Sequence, residues 1–291
     1  MSFAKVSPTA KLVAYMRQFS DIPFAKDVAQ HLRAKEAVEA LLRDERAAPE
    51  DLLLYAPILE ARYKSIVEMI RRSGATQVLE LASGFSLRGL AMTRDPGITY
   101  VESDLEDLTR EKAALIADLR SRYGLASHGN FHLAVADATD RGQVLAAAQA
   151  LRRDSAIAVI TEGLLLYLST SELVTVARNI RELLTQFGGV WITSDLLLKE
   201  ELRKAPEPQQ RFRRIVASAT ERKLYDSAFD DDAGLHAFFG RLELNAQAVN
   251  QVDLAPDIVS LDATGLPRRL LEEARPGMRL WIMKTAGPRS A

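Results

Sequence analysis

Four acids and one arginine stand where chemistry is possible. In AVITEGLLLYLS an otherwise apolar run ends in Glu162, and a carboxylate in such company is seldom buried without a partner. A sulfonium or ammonium group on a ligand is one candidate. Arg62, in LLLYAPILEARYKSI, is another, unless its side chain simply snorkels from an amphipathic helix. YVESDLED places Glu102 and Asp104 near the end of a second apolar run. An acid there can accept hydrogen bonds from both hydroxyls of a ribose, with Asp104 the first choice and Glu102 the reserve. The alternative for Asp104 is a cap on the helix that begins at Leu105. LAVADATD sets Asp137 in the corresponding place, where it either accepts from an adenine amino group or caps its own turn.

The elements that must position these residues follow from periodicity. VLELASGFSLRGL, residues 78–90, reads as strand, small-residue loop and helix. Gly84 sits where the strand turns, and the missing Cβ permits both an unusual φ and close approach of a ligand. The loop holds neither G-x-G-x-x-G nor a Lys-Ser/Thr pair, which disfavours a phosphate cradle and a nicotinamide dinucleotide site. Ala82, Ser83, Gly84 and Phe85 better suit a ligand presenting an amino-acid moiety and a ribose; the bland alternative is a tight turn of any parallel sheet. Further strands are expected near 98–102, 131–136, 156–162 and 189–195, with helices near 105–123, 141–152 and 171–186 between them. This alternation is an α/β doubly wound sheet, and the acids fall at its carboxyl edge, where open sheets bind ligands.

Residues 9–73 recur at helical spacing, with Pro49, Glu50 and Asp51 making a first turn for a helix over 52–72. After Asp195 the rhythm fails. Residues 196–240 give helical pieces interrupted by Pro206 and Pro208, read as an insertion over the site. Two more strands, within 242–254 and over 278–284, enclose a short helix at 270–273. A strand pair after five alternating units implies a seven-stranded Rossmann-like sheet whose last strand is antiparallel. The expected organisation is one domain: a helical cap at 1–73, a core at 74–195, a lid insertion at 196–240 and closing strands at 241–291.

Composition excludes several classes. With 291 residues, 47% of them hydrophobic, the chain can bury a core and is not disordered. Its net charge of -1 creates no global attraction to nucleic acid or an anionic membrane. The absence of cysteine rules out disulfides, thiolate metal sites and a cysteine nucleophile. His31, His128, His132 and His236 are scattered, so no metal site is expected. His236, in the insertion, is a weak candidate for a base. Lys5, Pro8, Lys11 and Arg17 break the N-terminus before a secretory apolar core forms. The longest apolar stretches, such as Leu164 to Leu168, are far short of the roughly 20 residues that span a bilayer. A soluble, cytoplasmic protein is expected.

Taken in order, SPTAKLVAYMR, LEARYKSI, VLELASGFSLRGL, YVESDLEDL, VADATD and TEGLLLYLS resemble the leucine carboxyl methyltransferase-like family. This is a group of class I S-adenosylmethionine (SAM)-dependent methyltransferases that includes bacterial O-methyltransferases of polyketide biosynthesis. The resemblance implies SAM as cofactor. It makes Arg62 the arginine on the ligand's carboxylate, Gly84 the glycine beneath its amino acid, and Asp104 the ribose acid. Asp137 with Ala138 becomes the adenine contact, and Glu162 the acid beside the methionine portion. Glu80 and Ala82, in the first motif, join that set, and Tyr167 matches an aromatic position after Glu162. Of the usual glycines of that motif only Gly84 is present, between Ala82 and Ser86.

The implied reaction is methyl transfer from SAM to an oxygen of a small molecule or chain end. A carboxylate needs no base and a phenol does; with Tyr167 and His236 the only, weak, catalytic candidates, a carboxylate is slightly favoured and a hydroxyl stays open. The alternative is a SAM-binding or interaction protein without turnover. Residues 203–223 hold seven basic and two acidic side chains. If this segment closes as a lid, Arg211, Arg213 and Arg214 would attract an anionic acceptor; otherwise it is a solvated surface.

Overall fold

The computed structural model describes residues 8–43, 48–205, 207–218, 220 and 224–286. Five strands carry the core: β1 Gln77–Leu81, β2 Thr99–Asp104, β3 Phe131–Val135, β4 Ile157–Thr161 and β5 Gly189–Thr193. All five residues of β1 and of β4 are buried, as expected of parallel strands covered on both faces. Two further strands, β6 Leu244–Asn250 and β7 Arg279–Thr285, complete a sheet of order β3-β2-β1-β4-β5-β7-β6. β7 lies antiparallel to both β5 and β6, and the other pairings are parallel. The expected seven-stranded, mostly parallel sheet with an antiparallel last strand is therefore present.

Helices α1 Pro8–Arg17, α2 Ala25–His31 and α3 Ala34–Leu42 form the N-terminal cap, and α4 Ala56–Ser73 leads into β1. The expected continuous helix over 52–72 is divided: Pro49–Tyr55 is a 3-10 turn and the α-helix begins at Ala56. Pro57 explains the division, because it lacks an N–H and is favoured only in a helix's first turn. α5 Arg88–Met92 follows β1, α6 Glu106–Tyr123 follows β2, α7 Arg141–Ala147 follows β3, and α8 Thr170–Phe187 follows β4. Ile66 and Ile70 of α4 cover one face of the sheet, beside Val78 and Ile160. Leu173, Val176 and Ile180 of α8 cover the other, beside Leu79 and Trp191.

After β5 come α9 Lys199–Lys204, α10 Glu207–Ser218 and α11 Asp232–Arg241. The expected insertion at 196–240 needs a correction at its end. Leu235 and Phe239 of α11 are fully buried with Trp191 and Trp281 against the sheet, so α11 is a regular covering helix and the insertion ends before it. α10 instead puts Ile215 and Val216 into the apolar cluster of the N-terminal cap. Between β6 and β7 lie α12 Gln251–Leu254, α13 Val259–Thr264 and α14 Arg269–Ala274, where the sequence pattern indicated one short helix. They pack on Ala61 of α4, and the buried Glu60 carboxylate accepts the N–H groups of Val259 and Ser260 at 2.9 and 2.8 Å. Among the described residues no helix is long and apolar enough to cross a membrane.

Candidate active site

A cavity of about 2870 Å³ opens above the carboxyl ends of the strands, between the N-terminal cap and the insertion. Parallel register brings Leu81, Ser103 and Thr161 level with one another, so the loops after β1, β2 and β4 enter the cavity side by side. The loop after β1 turns sharply, with Ala82 at φ 52° and Gly84 at φ 53°. This left-handed backbone is costless for glycine and strained for alanine. Beside the turn, Ser83 N–H bonds Ser103 O at 2.9 Å, and Lys112 of α6 donates to Ser83 Oγ at 2.9 Å.

Asp104 closes the loop from β2. Its Oδ2 accepts Gly84 N–H at 2.7 Å and its Oδ1 accepts Leu105 N–H at 2.8 Å. Burial pushes its carboxyl above the ordinary value, against the pull of those two donors. The N-cap of α6 is Leu105, and the Asp104 side chain does not reach into the helix's first turn. The carboxylate therefore ties two loops together and, with one described N–H accepted per oxygen, has acceptor capacity left while it lines the cavity. Asp137, half-buried on the same wall, accepts from Thr139 N–H and Oγ1 through Oδ1 alone, at 2.8 and 2.7 Å. Ala138 beside it is buried and lines the cavity too.

At the other end Glu162 gathers three guanidinium groups. Arg17 from α1 and Arg62 from α4 meet its Oε1, Arg62 Nε at 2.9 Å, and Arg88 from α5 meets its Oε2. Burial alone raises the Glu162 carboxyl, but Arg17, Arg62 and Arg88 outweigh it and hold the group well below the usual carboxylate range. Arg88, fully buried, also pairs with Glu80, whose Oε2 takes the Tyr100 hydroxyl at 2.5 Å. The Tyr63 ring lies 4.6 Å from the Arg88 guanidinium and 5.6 Å from that of Arg17. Burial pushes the Tyr63 phenol up to about 12. Three cations thus face two carboxylates, and Nε of both Arg17 and Arg88 is buried without a hydrogen-bond partner among the described residues.

The structure brings Arg62, Glu80, Ala82 and Gly84 to one cavity with Asp104, Asp137, Ala138 and Glu162. It does not bring Glu102 there. That carboxylate is fully buried beneath α5, accepting Gly89 N–H at 2.6 Å and pairing with Lys112 at 2.5 Å, because it lies two residues short of the strand end. His236 is also displaced from the site: burial of Leu235 and Phe239 turns it outward on α11, exposed, 6.0 Å from the Trp281 ring. Tyr167 lines the cavity and donates to Thr9 Oγ1 at 3.0 Å. Burial raises its phenol. Sequence reasoning missed Arg17, Arg88 and Asp195. Asp195 follows β5 and accepts the N–H groups of Gly163, Leu164 and Leu165 at 2.8, 2.8 and 3.0 Å, fastening the loop beneath Glu162. No cluster of His, Asp or Glu among the described residues is arranged to hold a metal.

The family model for leucine carboxyl methyltransferase matches residues 13–181, more than half of the chain. The chain belongs to that family. It is a SAM-dependent methyltransferase of class I fold. Among solved structures, a DUF574 family protein from Streptomyces avermitilis has 16% identity and a TM-score of 0.57, with 95% of this chain and 97% of that one covered. A putative O-methyltransferase from Nostoc punctiforme has 11% identity and a TM-score of 0.49, with 95% and 93% covered. Human N-acetylserotonin methyltransferase, solved with SAM, has 12% identity and a TM-score of 0.48, with 96% and 68% covered. At these identities the likeness is one of fold. A search of curated proteins by sequence finds no match.

The residues lining the cavity of this methyltransferase suit its cofactor in charge and hydrogen bonding. Arg17 and Arg62, which line the cavity beside Glu162, leave positive charge there that suits an α-carboxylate. A Cβ built on Gly84 meets nothing within 4 Å, which leaves the loop open to the cavity, and the unspent acceptor capacity of Asp104 suits hydroxyl groups.

Proposed function

We propose that this enzyme methylates an oxygen, a carboxylate or hydroxyl, of a small molecule or chain end, and that an acceptor already ionised on arrival suits it best. Arg62, with Arg17, would hold the cofactor's carboxylate; Asp104 its ribose; Asp137 and Ala138 its adenine. Bound SAM supplies a methyl group on a sulfonium, a leaving group that needs no acid. The chain's task is then alignment in a dry pocket.

One observation carries the preference for an ionised acceptor: the carboxylates at the methionine end are occupied. Glu162 is held ionised by three guanidinium groups, and Asp195, although burial raises its carboxyl, spends its oxygens on three backbone N–H groups. Neither is free to take a proton from a hydroxyl, whereas a carboxylate has none to give up. Polyketide-type acids are one class of such acceptors.

The test is transfer of labelled methyl from SAM to carboxylic acids and phenols. Methyl esters release methanol in mild alkali and methyl ethers do not. Alkali-labile label supports the reading; exclusively stable label moves the acceptor to a hydroxyl, and no transfer to any oxygen refutes O-methylation.

A further inference from the structure

The guanidinium groups at Glu162 are committed to carboxylates, but the insertion end of the cavity is different. Arg213, on α10, lines the cavity half-buried and donates to Leu202 O at 2.9 Å. Among the described residues no carboxylate lies within ion-pair distance of it. Of the charges nearby, Glu201 pairs with Arg279 at 3.0 Å and feels Arg213 only at longer range, and Lys204 pairs with Glu200 at 2.6 Å. Of the three clustered arginines only Arg213 lines the cavity; Arg211 pairs with Asp51 at 3.6 Å and Arg214 is exposed.

The Arg213 guanidinium lies 5.9 Å from the ring centroid of Tyr225, which also lines the cavity. Tyr225 has a left-handed backbone, φ 64°, a state that costs a non-glycine residue about 1–3 kcal/mol and persists only where its surroundings enforce it. Two bonds do so. Tyr225 N–H reaches Leu166 O at 3.0 Å, and Ser227 Oγ reaches Leu165 O at 3.1 Å. The strained turn thus seats the insertion's tyrosine on the loop that carries Glu162 and Tyr167.

We propose that Arg213 on Tyr225 forms the subsite that selects an acceptor bearing a carboxylate, with Arg213 the specificity-determining group; this rests on the oxygen-acceptor reading above. Among the described residues one of its five N–H donors is taken, which leaves a fork that matches a carboxylate's two oxygens, and the aromatic face beneath it strengthens as water leaves. Methylation cancels the acceptor's charge. A guanidinium on that carboxylate therefore steadies the bound acceptor at least as much as the transition state, so Arg213 acts on acceptor affinity and KM rather than on kcat.

The experiment titrates protein saturated with S-adenosylhomocysteine, the demethylated product, with benzoate, cinnamate and decanoate and with their uncharged amides. Wild type should bind at least one acid about tenfold or more tighter than its amide, the scale of a charge-assisted bond. Arg213→Gln should remove that preference and Arg213→Lys restore part of it, with S-adenosylhomocysteine affinity unchanged in both variants. Equal binding of acids and amides, binding of no probe, or an unaltered preference in R213Q overturns the proposal. Because cofactor-product affinity is read in the same titrations, these outcomes leave the methyltransferase intact. Failure of wild type to bind S-adenosylhomocysteine would instead strike the cofactor reading.

Discussion

Replacing Glu162 by Gln removes one negative charge from among three guanidinium groups while keeping the side chain's shape. Breaking a buried ion pair from one side typically costs about 3–5 kcal/mol, because the remaining charge is left without compensation. Two features of the site place the expected loss at the lower end. Arg88 keeps Glu80, and Arg17 and Arg62 are 12% and 20% exposed, so they regain some hydration. The expected destabilisation of the ligand-free protein is about 3 kcal/mol, which at an m-value of about 3 kcal/mol per M lowers the urea midpoint by about 1 M. The pH dependence follows from the same contacts. Arg17, Arg62 and Arg88 hold the folded carboxyl far below its unfolded value of about 4.3. Between those two values the unfolded chain binds more protons, so stability rises with pH; the contribution is complete above about pH 5 and is lost as pH falls through the folded value. Unfolding midpoints of wild type and Glu162→Gln between about pH 3 and pH 7 test both statements, and the variant should show the flatter acid limb. A midpoint within about 0.3 M of wild type at pH 7, or an unchanged acid limb, would show that Glu162 does not neutralise the arginines.

Asp104→Ala should weaken S-adenosylhomocysteine binding by about 1–3 kcal/mol, the range for unpaired buried donors. Asp104 also receives Gly84 N–H, so calorimetry must be paired with the ligand-free Tm, and unchanged affinity returns Asp104 to a purely structural role. Gly89→Ala should destabilise by about 1–3 kcal/mol through overpacking, since a Cβ there would stand 2.7 Å from the Phe131 and Tyr100 rings and 2.8 Å from Glu102 Oε1; an unshifted urea midpoint contradicts this. Limited trypsin digestion should cut first at the exposed Arg203, Lys204 and Arg214, and more slowly with S-adenosylhomocysteine and an acceptor bound. Equal rates in the two conditions would mean that the insertion is a fixed roof and not a lid.

Much of this was legible in the chain because strand ends advertise themselves. Glu162 interrupts an apolar run and needs a cation, and Arg62 answers it at 2.9 Å. The same reasoning asked for one partner and could not count three. Arg17 ends a short amphipathic helix and Arg88 opens a five-residue one, so locally each resembles a surface residue. Their burial is a tertiary outcome, decided by Glu80 and Glu162 converging from different strands. Glu102 shows the opposite error: two residues of extra depth along β2 take an acid from the ligand edge to a position beneath Gly89.

The first loop carries the same lesson about counting residues. It has a single glycine, at 84, where more are usual. The backbone nevertheless takes the left-handed turn at both 82 and 84, with Ala82 bearing the strain. A different glycine meets the steric demand of packing a helix onto the strands, since any Cβ on Gly89 would collide with Tyr100, Phe131 and Glu102. Conformational freedom is needed at Gly84 and absence of bulk at Gly89, and only the first falls within the loop where glycines were counted. A tally of glycines therefore measures neither requirement. What holds the loop in shape is Asp104 on Gly84 N–H and Lys112 on Ser83, contacts from β2 and α6 that a motif confined to residues 78–90 does not contain.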